Sequence, residues 1–143
     1  MRRIDHIVVH CSATKEGKDF GVDDFRKWHM RKNWSDVGYH FVIRLDGTIE
    51  DGRPIEKIGA GVRGYNSNSI HVCYTGGVDE NIKPKDTRTK EQKESLFYLL
   101  TDLKRRFPHA EILGHRDFEG VRKACPSFDA KGEYHNILIY KTV

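Results

Sequence analysis

The sequence has no apolar run approaching the ~18–20 residues that a membrane-spanning helix needs. Its longest early one, Ile7-Val8-Val9, is also too short for the core of a secretory signal. Cysteine is scarce, with Cys11, Cys73 and Cys125 the only three. An odd, widely spaced trio argues against a disulfide framework and suits a reducing compartment. Internal repeats, low-complexity tracts and linkers long enough to divide the chain are all missing, so the 143 residues read as one domain, 1–143. Disorder is excluded by recurring clusters of aromatic and branched residues among 37% hydrophobic and 32% charged positions. Lys and Arg number 25 against 21 Asp and Glu, and the resulting +4 fits an anionic partner or an ordinary solvated surface. With neither span nor export signal, the chain is expected to be cytoplasmic as synthesised.

The patterning that is present alternates strands and helices. Ile4 to His10 reads as a short buried strand because its centre is β-branched. Val22 to Lys32 reads as a helix, with Val22, Phe25, Trp28 and His29 on one face and Asp23 and Asp24 in the first turn. Tyr39 to Arg44 and Thr48 to Glu50 form a hairpin about Asp46-Gly47. Pro54 to Asn68 is a long, glycine-containing loop of the kind that is usually functional or disordered. Ser69 to Tyr74 is a further strand. Thr89-Lys90-Glu91-Gln92 is a capping-box pattern opening a helix with Leu96, Leu99, Leu100, Leu103 and Phe107 along one face, stopped by Pro108. Ala110 to Leu113 is another strand, and Tyr134 to Tyr140 a final helix. These elements predict an α/β fold, a central mixed β-sheet with helices packed on it.

Ligand-type residues concentrate where strands end. His10 follows a buried strand and precedes Cys11-Ser12-Ala13-Thr14; His115 follows Leu113-Gly114; Cys125 comes ten residues later in Lys123-Ala124-Cys125-Pro126-Ser127-Phe128-Asp129. Such strand ends are where α/β sheets place ligands. Two imidazoles and a thiolate would suit Zn²⁺, although the chain holds no C-x-x-C pair or H-E-x-x-H helix, and each residue taken singly fits a structural role as well.

The local sequences say more together. His10-Cys11-Ser12-Ala13-Thr14, Asp36-Val37-Gly38-Tyr39-His40-Phe41, Asp46-Gly47-Thr48, Gly64-Tyr65-Asn66, Asn68-Ser69-Ile70 and Lys123 to Asp129 occur in this order from Val8 to about Lys131. In this the chain resembles the zinc-dependent N-acetylmuramoyl-L-alanine amidases, the family that includes amidase-type phage lysozymes and peptidoglycan recognition proteins.

The resemblance implies a sheet of about five or six strands with one zinc in a surface cleft. It places His10, His115 and Cys125 as the metal ligands. Tyr39 falls where a tyrosine assists proton handling, and Lys123 where a basic residue steadies charge on the attacked carbonyl. Arg63 and Asn66 become candidate substrate contacts, in a loop where many relatives carry histidine at the position of Gly61. The chemistry is consistent: three protein ligands leave the fourth tetrahedral position for water, whose pKa a zinc ion lowers from ~15.7 toward ~7. A donor fixed at the developing oxyanion is worth about 3–4 kcal/mol.

The implied activity is hydrolysis of the amide between N-acetylmuramic acid and L-alanine in peptidoglycan, after release to the wall by an unspecified route. Two alternatives stand beside it: a binding module that recognises peptidoglycan without cutting it, and a lysozyme that also inhibits an RNA polymerase. Peptidoglycan is the expected partner; neither nucleic acid nor membrane is expected, and the chain is expected to be a monomer. Of the histidines outside the ligand set, His40 is the candidate for an outer contact. Cys11, one residue from His10, is expected to face away from the metal, and Cys73 to be a small buried hydrophobe.

Overall fold

The computed structural model describes residues 1–137. In chain order its elements are β1 (His6–Cys11), β2 (Thr14–Lys15), α1 (Val22–Met30), β3 (Phe41–Ile43), β4 (Ile49–Asp51), β5 (Ser69–Tyr74), β6 (Gly77–Val78), α2 (Lys90–Arg106), β7 (Glu111–Gly114) and α3 (Ala130–Tyr134). One-turn 3-10 segments occupy Asn66–Asn68 and His115–Asp117.

Ile7, Val8 and Val9 give β1 two apolar faces, and both are fully buried. A strand covered on both sides belongs in the interior of a sheet with parallel neighbours. The sheet runs β4-β3-β5-β1-β7, with β5 and β7 both parallel to β1 and β3 parallel to β5. Only β4 is antiparallel, joined to β3 through the Asp46-Gly47 turn, where Gly47 adopts φ +89°. This is the expected α/β architecture with a mixed central sheet.

Alternation divides the side chains between two layers. Ile7, Val9, Ile70, Val72, Tyr74 and Ile112 meet Leu96, Leu99, Leu100 and Leu103 of α2. The capping box forms: Thr89 Oγ1 accepts from the Gln92 N–H at 3.0 Å, and Gln92 Oε1 accepts from the Thr89 N–H at 2.9 Å. The same Gln92 amide donates to the Ile43 and Thr75 carbonyls, tying the helix start to the sheet. On the opposite layer, Val8, Leu113, Val62 and Phe118 form one cluster, and Phe25, Val37 and Val42 another under α1. Alternation along β1 and β5 gives His10, His71 and Cys73 to this second layer as well.

Several boundaries differ from expectation. Helix α1 ends at Met30 rather than Lys32, with Lys32 N–H closing onto the His29 carbonyl in a turn. Tyr39 precedes β3, which starts at Phe41, although its carbonyl still accepts from Arg53 N–H in line with the β3–β4 register. A two-stranded pairing of β2 with β6 was not foreseen. The last described helix is Ala130–Tyr134, capped by the Asp129 side chain on Gly132 N–H. The expected helix Tyr134 to Tyr140 begins where this one ends, and its residues from 138 onward lie outside the described residues.

Candidate metal centre and cleft

Parallel pairing puts Val9 beside Gly114, so the next residues of the two chains emerge at one rim. There the rings of His10 and His115 stand 4.9 Å apart between centroids. Cys125 reaches the same point from a loop fixed at several backbone positions. Arg116 N–H donates to the Cys125 carbonyl at 2.8 Å, and the Tyr74 hydroxyl donates to the Pro126 carbonyl at 2.6 Å. Pro126 also lies over Gly114, where a Cβ would come within 2.7 Å of its Cδ. One donor atom each from His10, His115 and Cys125 falls within 4.8 Å of the others. His10 Nδ1 is 3.9 Å from Cys125 Sγ.

Burial shapes the protonation of these groups. It holds His10 well below the ordinary histidine value, helped by neighbouring His71 and His115. Burial and then Lys123 lower His115. Both imidazoles are therefore neutral, as metal ligands must be. The Cys125 thiol is pushed up by its hydrogen bond with the Cys11 thiol and by burial. A divalent cation reverses that balance, since a coordinating thiol is deprotonated outright. The Cys11 N–H, 3.2 Å from Cys125 Sγ, is a ready donor to the resulting thiolate. The N, N and S donor set fits zinc in both number and softness.

The group lies along a cleft of about 1160 Å³ that is also lined by Tyr39, Arg63, Asn66, Lys123 and the aromatic side chains of Phe25, Trp28 and Trp34. The Tyr39 ring packs 5.4 Å from that of His10 and 5.3 Å from that of His29, with its hydroxyl against the Cys73 thiol. Burial raises the phenol well above its usual value, which keeps it protonated. Lys123 and Arg63 are exposed at the cleft. Asn66 lies in the wall, and its Oδ1 accepts from both Gly61 N–H and Val62 N–H at 2.9 Å.

The outer contact to His10 comes from a residue the sequence reading passed over. His71 Nδ1 lies 2.9 Å from His10 Nε2. His40 is one step further out: its Nδ1 accepts from the His71 backbone N–H, and its ring stacks on that of His71 at 5.8 Å. The available signal was alternation along β5, which gives Ile70, Val72 and Tyr74 to the α2 layer and leaves His71 on the His10 side. The Cys11 side chain packs against the α2-side core but does not face away from the site as expected: it is no member of the three-donor group, yet its thiol meets that of Cys125. Cys73 is fully buried.

Fold and site together define an α/β protein with a His-His-Cys group able to hold a metal ion beside an open cleft. A sequence model of N-acetylmuramoyl-L-alanine amidase matches residues 1–128, and the chain belongs to that family. It is 48% identical over 125 residues to the endolysin of Klebsiella phage KP32, covering 87% of this chain and 82% of that protein. It is 46% identical over 127 residues to the endolysin of Escherichia phage T7, covering 89% and 83%. Among solved structures, the N-acetylmuramoyl-L-alanine amidase LysC from Clostridium intestinale superposes with TM-score 0.80 at 25% identity, over 97% of this chain and 87% of that one. Drosophila PGRP-LB shares the fold, with TM-score 0.74 at 23% identity over 94% and 81%. Among the described residues no helix is long and apolar enough to cross a membrane.

Proposed function

We propose that the chain, as one amidase domain, is zinc-dependent and cleaves the amide joining the lactyl group of N-acetylmuramic acid to L-alanine in peptidoglycan. The observation that carries this reading is the convergence of His10, His115 and Cys125 within 4.8 Å beside an open cleft, in a chain of the amidase family. These three residues hold the ion. A bound zinc supplies Lewis acidity, activating water and polarising the scissile carbonyl.

The remaining work falls to the protein's own groups. Tyr39, kept protonated by burial, orients the attacking water through its hydroxyl, and the proton that the water loses passes by way of that hydroxyl to the leaving amine, which leaves the phenol protonated again. Lys123 is close enough to His10 and His115 to lower both, and its ammonium steadies negative charge building on the carbonyl oxygen. Arg63, exposed at the cleft, meets carboxylates of the stem peptide. Asn66 acts on the substrate indirectly, since its carbonyl oxygen is committed to the Gly61 and Val62 amides and so shapes the cleft wall. Trp28 and Trp34, both partly exposed, offer flat apolar surface to the rest of the chain being cut.

Purified protein mixed with cell-wall peptidoglycan is expected to clear turbidity and liberate N-terminal alanine. It should carry one zinc per chain, stop on chelation and recover on zinc addition. A protein that binds wall fragments and holds zinc but frees no amine is a recognition module, and that result overturns the proposal.

A further inference from the structure

A ligand imidazole must present a bare nitrogen to its metal, so something has to decide which ring nitrogen of His10 carries the proton. The structure contains a chain of hydrogen bonds able to decide it. The chain starts at Asn66, whose Oδ1 receives the N–H groups of Gly61 and Val62, each at 2.9 Å. Two backbone donors converging on one side-chain atom identify that atom as the carbonyl oxygen, an acceptor without a proton. The same oxygen faces His71 Nε2 at 2.9 Å, so Nε2 must be the protonated nitrogen of His71. A neutral imidazole protonated at Nε2 is bare at Nδ1. That bare Nδ1 faces His10 Nε2 at 2.9 Å, which places the His10 proton on Nε2. His10 Nδ1 is left with its lone pair on the side of Cys125 Sγ, 3.9 Å away. Both rings are almost wholly shielded from water, His71 at 0% and His10 at 2% exposure, so no solvent bond competes with this order.

We propose that His71 is a positioning residue for the amidase site: an Asn66–His71–His10 relay fixes His10 in its Nε2–H tautomer and aims Nδ1 at the metal position. The inference rests on the reading of His10 as a metal ligand. Gly61 is the second half of the device. A Cβ there would fall inside contact distance of His71 Nδ1, 2.6 Å from its Cε1 and 2.8 Å from His10 Nε2. The loop can therefore close over the His10–His71 pair, and bring its amides to Asn66, only where residue 61 has no side chain. A histidine on the strand and a glycine on the loop make one arrangement.

The test begins with ring-nitrogen NMR of the metal-free parent protein, which reads the tautomers directly and needs no variant. His10 and His71 are both expected as Nε2–H with bare Nδ1. A proton on His10 Nδ1 overturns the relay whatever the metal content. A parent that takes up no zinc but shows the two Nε2–H tautomers overturns the metal reading instead. Zinc affinity by chelator competition then tests the consequence. His71→Leu removes the acceptor and is expected to weaken zinc binding about 10–100-fold, with His10 sampling both tautomers. His71→Asn restores an acceptor near the place of Nδ1 and is expected to recover most of the affinity and the single tautomer, a rescue that a mere packing role would not give. Parental zinc affinity in a folded His71→Leu protein overturns the proposal, as does failure of His71→Asn to bind zinc better than His71→Leu.

Discussion

Replacing Tyr39 by phenylalanine separates chemistry from architecture at this site. The ring is held by edge contacts with Phe25 at 6.2 Å and His29 at 5.3 Å and by a tilted contact with His10 at 5.4 Å, all of which phenylalanine reproduces. What disappears is one hydroxyl against the Cys73 thiol. A neutral hydrogen bond of that kind is worth about 0.5–1.5 kcal/mol net, so the melting temperature should fall by no more than about 2–6 °C. The hydroxyl is no part of the three-donor group, and zinc content should be unchanged. Turnover is a different matter. Loss of a single acid–base or water-orienting group slows reactions by about 10²–10⁴-fold, or about 2.7–5.5 kcal/mol in the barrier. The expected signature is a loss in kcat several times larger than the loss in stability, at full metal occupancy. Release of N-terminal alanine, metal analysis and a thermal melt on the same preparation supply the three numbers. Full activity in Tyr39→Phe, or activity falling in step with zinc content, would refute the assigned role.

Cys125→Ala should lose zinc and activity together and still fold, because the loop carbonyls are held by the Arg116 N–H and the Tyr74 hydroxyl; retained zinc on elemental analysis would argue against sulfur ligation. Arg88→Met probes the fold away from the cleft. The Arg88 guanidinium, 2% exposed, bonds Asp86, Glu133 and the Tyr134 hydroxyl and lies 3.4 Å over the Phe128 ring. Its carboxylate partners are 33% and 44% exposed and can rehydrate, so the expected cost is about 2–3 kcal/mol, read as a drop of about 4–12 °C on melting. An unchanged melt would show that the network contributes nothing. The pH dependence of stability follows from His29 and His40, each lowered by burial from 6.5 to about 4. Between those values the unfolded chain binds more protons than the folded one, so stability should decline as pH falls from about 6.5 to about 4 and be flat with respect to these groups just above 6.5. Urea unfolding of metal-free protein at stepped pH checks this, and undiminished stability at pH near 4 would contradict it.

The sequence by itself determined what local chemistry can determine. Ile7-Val8-Val9 and Ser69 to Tyr74 had to be buried strands, because β-branched residues and alternation leave few other solutions. Thr89 and Gln92 had to start a helix, since each satisfies the backbone donor of the other. Asp46-Gly47 had to turn. The donor types, and through resemblance the particular His10, His115 and Cys125, were also legible in the linear chain.

Tertiary structure decided the rest, and the reason is range. The helix at Ala130–Tyr134 was missed because Asp129, its cap, reads equally well as the end of the Cys125 segment. The two-residue pairing of β2 with β6 exists only because longer strands bring those ends together. His71 shows the limit most clearly. Alternation put it on the His10 face, but reaching His10 Nε2 required β5 to pair with β1 in the register Val8 to His71, and a loop whose Gly61 leaves room for two rings. The contacts of the site join residues as far apart as 115 positions, counting His10 to Cys125, and no local period encodes them. Propensity acts over a few residues, whereas a metal centre is a meeting of distant ones, and only the packed sheet fixes where they meet.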